Sequence, residues 1–169
     1  MSFASIILLL VTLQRLGELG LAQTNTRKLK ARGAIEVGAS HYPLIVAVHA
    51  AWLITLWTLG REQAVNLLAL TIFVVLQGLR VWIIATLGSR WTTRIIVLPG
   101  EPLITSGPYR YLSHPNYAVV VAEIATLPLA LHLPVTALVF AVLNAMVLFI
   151  RIRAESRVLN EATTWPAMS

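Results

Sequence analysis

The chain has 169 residues, 57% of them hydrophobic and only 12% charged, with a mean hydropathy of +0.77; soluble domains carry about a quarter charged residues, so this one has too little polar surface to cover a water-exposed globule. A disordered tail, a collagen-like chain and a disulfide scaffold are excluded, and with no Cys there is no thiol nucleophile or thiolate metal site. Thirteen Lys and Arg against seven acids, all Glu, leave a net charge of +6; because the bases flank apolar runs, the excess speaks for a membrane protein rather than a nucleic-acid binder.

Five apolar segments follow one another: about Phe3 to Ala22, Pro43 to Leu59, Ala64 to Leu87, Tyr117 to Leu131 and Pro134 to Ile150. This predicts an all-α polytopic membrane protein of about five helices, forming a single domain over residues 1–169. Residues 1–87 hold the first three helices, and 88–169 hold a loop, a helical hairpin and a C-terminal helix. A crossing needs roughly 20 residues, so the fourth and fifth segments are short, and His132-Leu133-Pro134 makes them a tight hairpin that spans a thinned bilayer or only part of one. The first segment lacks the basic stretch that precedes a cleaved signal. Ten of the thirteen bases fall between segments one and two, between three and four, or after five, and Arg61 lies alone in a loop on the other side. The positive-inside rule then puts the N-terminus outside and the C-terminus in the cytoplasm, in an inner or plasma membrane.

The stretch from Gly88 to Asn116 is the longest outside the spans, and long loops in compact domains tend to be functional. It closes on Gly107-Pro108-Tyr109-Arg110-Tyr111-Leu112-Ser113-His114-Pro115-Asn116-Tyr117, a turn running into a helix start with Pro115 at the first position and His114 or Ser113 as cap. A helix N-terminus can hold a carboxylate or phosphate, and the Tyr rings can enclose a planar ring or a cation; they also suit a headgroup belt. After the fifth segment comes Arg151-Ile152-Arg153-Ala154-Glu155-Ser156-Arg157, with Arg151 and Glu155 on one helix face below Asn144 and Leu148. Glu123 and Arg80 are ionisable groups inside spans, where such groups are functional or paired. Arg15 and Glu18 read as a local helix pair. His41, His49 and His132 lie apart in the chain, and without Asp or Cys a metal site has little support.

These two motifs, around a short helical hairpin, resemble the isoprenylcysteine carboxyl methyltransferase family, whose loop runs Gly-Pro-Tyr, Arg-His-Pro and Tyr before two apolar helices and an Arg-rich segment ending in Glu-Glu. In the front half, Gln14-Arg15 with Glu18, Asn25, Arg32-Gly33, Glu36 and His41-Tyr42-Pro43, and further on the run Arg90 to Gly100, resemble a bacterial branch associated with O-methylation of alkylresorcinol or alkylpyrone lipids. The resemblance implies a transferase using S-adenosylmethionine, with Tyr109, His114, Pro115, Tyr117, Arg151 and Glu155 at the cofactor. It implies a lipophilic small-molecule acceptor drawn from the membrane. Ser113 stands where the family often has Arg, and Ser156 where it has a second Glu.

The sulfonium is already an activated methyl donor, so the remaining tasks are alignment and an available oxygen nucleophile. Candidates for the catalytic groups are His114, which titrates near neutrality, and Glu123 with Arg80, for which one buried ion pair is the structural alternative. Competing functions are prenylcysteine methyl-ester formation, phospholipid N-methylation, an NADPH-dependent reductase of the steroid-reductase type, and a lipid-binding scaffold without activity.

Overall fold

The computed structural model describes residues 1–102 and 104–163, with side chains as far as Arg153. Five α-helices form a bundle: α1 (Phe3–Ala31), α2 (Tyr42–Leu59), α3 (Leu67–Leu87), α4 (Pro115–Ala130) and α5 (Pro134–Thr163). Two three-residue strands, β1 (Ile35–Val37) and β2 (Ile95–Val97), lie in the loops after α1 and α3. The all-α expectation holds apart from this ribbon.

Each helix starts and stops where local chemistry dictates. The Ser2 hydroxyl accepts from the Ser5 amide at 3.0 Å and caps α1, and Asn66 caps α3 through the Ala69 amide at 3.1 Å. Pro115 opens α4 at its first position as expected, with His114 as the capping residue, although His114 makes no side-chain capping bond. Near the end of α4, Pro128 has no N–H to give the Ile124 carbonyl. Trp52 on α2 donates its indole N–H to that carbonyl at 3.2 Å instead, the kind of replacement a proline inside a membrane helix requires.

The hairpin of α4 and α5 is confirmed, but the expected shortness of its second arm is corrected. From Val135 to Thr163 there is no Gly or Pro, so the Arg-rich segment interrupts the hydropathy without interrupting the helix. The stretch Pro134–Arg153 is long and apolar enough to cross a membrane, as are those in α1, α2 and α3, which makes four. Only α4 is short: its 16 residues reach roughly 24 Å, against about 30 Å of hydrocarbon.

The core runs through all five helices: Leu8 from α1, Trp52 and Leu56 from α2, Phe73 from α3, Ile124 and Leu127 from α4, and Phe140 from α5. The outward faces are apolar too, with Leu10, Leu13, Ile54, Leu68, Val75, Leu138 and Met146 exposed. In water these would be an aggregation surface; in a bilayer they are the lipid-facing one.

The helices alternate in direction. At one end, Ser5 donates to the Arg61 carbonyl at 3.0 Å and the Asn66 amide to the Ala130 carbonyl at 2.8 Å, so the start of α1, the α2–α3 turn and the α4–α5 turn meet. A Cβ on Gly60 would stand 2.7 Å from the Leu56 carbonyl oxygen and 2.8 Å from the Leu131 side chain, so only glycine allows this approach. The other end gathers the two strands, the start of α4 and Arg151, and it holds Lys30, Arg32, Arg90 and Arg94.

Candidate functional site

At the basic end two loops are sewn together. β1 pairs antiparallel with β2 in the register Ile35↔Val97, Glu36↔Ile96, Val37↔Ile95. Asn25, buried on α1, donates its side-chain amide to the Trp91 carbonyl at 2.8 Å and the Gly88 carbonyl at 3.2 Å. The following turn docks on α3 through Gly107, where φ is +57° and a Cβ would meet the Thr86 hydroxyl at 2.6 Å. Pro108 is buried beside it.

These anchors hold a connected set of polar and aromatic side chains. Lys30 bonds Glu36 at 2.5 Å, and Arg94 bonds it from the other side. The hydrogen bond from Lys30, helped by Arg94 and opposed in part by burial, holds the Glu36 carboxyl below its ordinary value. The Arg94 guanidinium lies 4.0 Å above the Tyr42 ring. The Tyr42 hydroxyl meets the Thr93 hydroxyl at 3.2 Å, and Arg151 donates to the Thr93 carbonyl at 3.0 Å. Arg151 then stands 5.9 Å over the Tyr117 ring, which stacks on His114 with centroids 5.4 Å apart and planes 19° from parallel. Glu36, His41, Tyr42, Arg94 and Arg151 line one narrow cavity.

His114, Tyr117 and Arg151, expected to share a site, thus come together although Arg151 lies 34 residues beyond Tyr117 in the chain. Pro115 is buried at the first turn of α4 beneath them. Tyr109 packs against the cluster of Ala22, Ile83, Trp91 and Val119, which joins α1, α3 and α4. The Glu155 side chain lies outside the described residues. Tyr42, Thr93, Arg94 and Glu36 entered the sequence reading through the family resemblance and were not among the residues assigned to the site. The available signal was basic and aromatic residues in both loops at the base-rich end.

Arg80 and Glu123 belong to a second cluster, inside the bundle. Glu123 is 1% exposed. It accepts from Arg15 at 2.8 Å, Arg80 at 2.9 Å and Gln77 at 2.8 Å. Arg80 also grips Glu18 through two bonds, at 2.6 and 2.7 Å. Arg15 reaches Glu18 at 3.0 Å, so the pair expected to be local joins α1 to α4 as well. Gln14 bridges Glu18 at 2.9 Å and Gln77 at 2.8 Å. Two guanidiniums and two carboxylates therefore cancel within three helices. Glu123 is eight residues past Pro115, roughly 12 Å deeper along α4. A larger cavity of about 280 Å³ between α3 and α4 is apolar, lined by Leu76, Leu79, Trp82, Tyr111 and Leu112 among others.

Residues 67–161 match the family described as "Isoprenylcysteine carboxyl methyltransferase (ICMT) family". The uncharacterized protein YpbQ of Bacillus subtilis (strain 168) is 37% identical over 161 residues, covering 92% of this chain and 96% of that one. An uncharacterized protein of Haemophilus influenzae is 25% identical over 166 residues, covering 95% and 96%. No solved structure matches the chain.

Proposed function

The chain belongs to the isoprenylcysteine carboxyl methyltransferase family and is a membrane methyltransferase; from that premise we propose that it takes its methyl group from S-adenosylmethionine at the basic end of the bundle and transfers it to an oxygen of a lipophilic acceptor, with a hydroxyl such as that of an alkylresorcinol favoured. The observation that carries this reading is the convergence of the loop motif with the end of the last span: His114 stacked on Tyr117, with the Arg151 guanidinium above that ring.

The side chains there suit the cofactor. S-adenosylmethionine has a flat adenine, a cationic sulfur and an amino-carboxylate tail. The rings of Tyr117, His114 and Tyr42 match the flat or cationic parts, and Arg151 and Arg94 match the carboxylate. Glu36 matches the ammonium. Arg151 Nε, Asn116 Oδ1 and His41 Nδ1 are buried without hydrogen-bond partners among the described residues, and a bound polar ligand would satisfy such atoms. Pro115 fixes the start of α4 that carries Tyr117, Tyr109 wedges the loop against Trp91, and Glu155 continues the Arg151 helix. The cofactor supplies an activated methyl; the chain aligns it, excludes water and accepts a proton from the acceptor.

Glu123 and Arg80 enter this reading as architecture. A base needs a lone pair open to substrate, and both Glu123 oxygens already accept from Arg15, Arg80 and Gln77. His114 goes to the cofactor wall. The basic end faces the cytoplasm, where the positive-inside rule puts it and where the cofactor is.

Ser113 favours the hydroxyl acceptor. It is exposed in the loop where the family often has an Arg, and a carboxylate acceptor needs a fixed cation. The partly unpartnered Arg151 supports the second reading, a prenylcysteine carboxylate. The test is equilibrium binding of labelled S-adenosylmethionine to protein purified in detergent, then transfer to a 5-alkylresorcinol and to a prenylcysteine offered side by side. Binding with preferential resorcinol methylation is expected. His114→Ala should stay monodisperse and lose most transfer. Binding of NADPH in place of S-adenosylmethionine would overturn the reading.

A further inference from the structure

We propose that His49 on α2 and Asn144 on α5 form the site that holds the acceptor's hydroxyl, with His49 Nε2 taking its proton. The inference rests on the methyltransferase reading above and goes beyond it by naming residues on helices outside the loop motif.

Asn144 is completely buried, and neither its side-chain oxygen nor its side-chain nitrogen has a hydrogen-bond partner among the described residues. Buried amides in folded proteins are almost always paired, and one left open on both atoms marks a ligand or an ordered water. On its own helix Phe140 and Val147, one turn to either side, belong to the apolar core with Val48, Trp52, Val120 and Ile124.

Helix register brings His49 to the same level. Tyr42 and Arg151 both bond to Thr93 and both line the narrow cavity, so α2 and α5 are tied together there. His49 lies seven residues along α2 from Tyr42, and Asn144 lies seven residues back along α5 from Arg151. The helices run antiparallel, so both residues stand roughly 10 Å deeper in the bundle. Seven residues are also nearly two full turns, so each keeps the face of its partner in the tied layer.

The hydrogen bond made by His49 decides its chemistry. Nδ1 lies 2.8 Å from the Ile45 carbonyl oxygen. A carbonyl only accepts, so Nδ1 carries the hydrogen and the neutral ring keeps its lone pair on Nε2. An uncharged amide, donor and acceptor at once, beside an imidazole lone pair suits a hydroxyl rather than a carboxylate. In the transfer, the acceptor oxygen forms its bond to the methyl carbon while the carbon–sulfur bond breaks and leaves its electron pair on sulfur. The O–H proton passes to His49 Nε2 and leaves to solvent once the product departs. Asn144 orients the oxygen.

The experiment uses the detergent-purified full chain, labelled S-adenosylmethionine and a 5-alkylresorcinol. His49→Gln keeps a polar side chain and loses the base. It should bind the cofactor like the wild type and unfold at the same temperature, with transfer slowed about 100- to 10,000-fold. Asn144→Leu should unfold at the same or a higher temperature, because an unpaired buried amide has been removed. Its KM for the acceptor should rise roughly tenfold or more with cofactor affinity unchanged. An Asn144→Leu protein that is less stable with an unchanged acceptor KM makes Asn144 structural and overturns the proposal, as does wild-type turnover by His49→Gln. A wild type that binds cofactor and methylates only the prenylcysteine also overturns it. Failure of the wild type to bind S-adenosylmethionine overturns the underlying reading instead.

Discussion

Two polar regions share this bundle. In the first, Arg15, Glu18, Arg80 and Glu123 with Gln14 and Gln77 form a network whose charges cancel and whose carboxylate oxygens all accept hydrogen bonds; only Arg15 Nε is left over. In the second, running from Asn144 down to Arg151, His41 and Asn116, buried polar atoms remain without partners among the described residues. Both are costly in an apolar medium. The first has its compensation inside the protein and ties α1, α3 and α4 together. The second lacks it, and compensation from a ligand is what a binding site would supply. Counting hydrogen bonds thus separates two constellations that composition alone treats alike.

Opening the closed region should have the largest effect. Glu123→Ala leaves two guanidiniums buried against the single charge of Glu18, and breaking such a cluster costs about 3–5 kcal/mol. The expected outcome is a large drop in the unfolding temperature in detergent, or protein that aggregates on extraction. Removing Arg80 as well, in Arg80→Met/Glu123→Met, leaves the neutral Arg15–Glu18 pair and should recover much of the loss. If the double variant is as unstable as the sum of the two single ones, the four charges do not act as a unit.

Changing the open region should affect ligand more than fold. Arg151→Ala removes one bond to the Thr93 carbonyl and the contact over Tyr117. We expect cofactor affinity to fall roughly tenfold to a hundredfold while the unfolding temperature shifts little, as befits a charged group facing a ligand. Arg151→Lys should restore little, because an ammonium lacks the planar fork. Unchanged cofactor affinity in Arg151→Ala would move the cofactor site away from this helix and weaken the contrast between the regions.

The sequence showed the spans because hydropathy and helix-breaking residues are local properties. The limits of α2, α3 and α4 fell within a few residues of expectation. It placed the ends of α1 and α5 too early, at about Ala22 and Ile150 rather than Ala31 and Thr163, because the polar and charged residues that follow lower hydropathy without breaking a helix. The pairing of Arg80 with Glu123 was foreseeable from two lone charges in spans, whereas the part played by Arg15 and Glu18 needed the crossing of α1 over α3 and α4. The meeting of Tyr117 with Arg151 was legible only through motif resemblance. The β1–β2 ribbon and the Thr93 bridge from Tyr42 to Arg151 were not legible at all. Both join residues far apart in the chain, the ribbon through its backbone and the bridge through one hydroxyl and one carbonyl of Thr93, and no local pattern announces such a pairing.

The smallest effect concerns the rim of the open region, where Glu36 bonds Lys30 and Arg94. Its folded-state pKa is lowered, first by the Lys30 hydrogen bond and then by Arg94, against a desolvation effect that raises it. A carboxyl whose pKa falls on folding adds stability that is fully present above its unfolded pKa, ordinarily near 4.5, and lost as pH drops through the lower folded value. Lys30 is half-exposed, so solvent and salt screen the interaction and its worth is about 1 kcal/mol or less. Glu36→Gln should therefore unfold slightly below the wild type near pH 6 and alongside it near pH 3, with the gap at the higher pH shrinking in strong salt. A gap that ignores both pH and salt would mean that Glu36 contributes through the shape of the ribbon alone, and the rim would then resemble the closed network in being architecture rather than a charge held ready for a ligand.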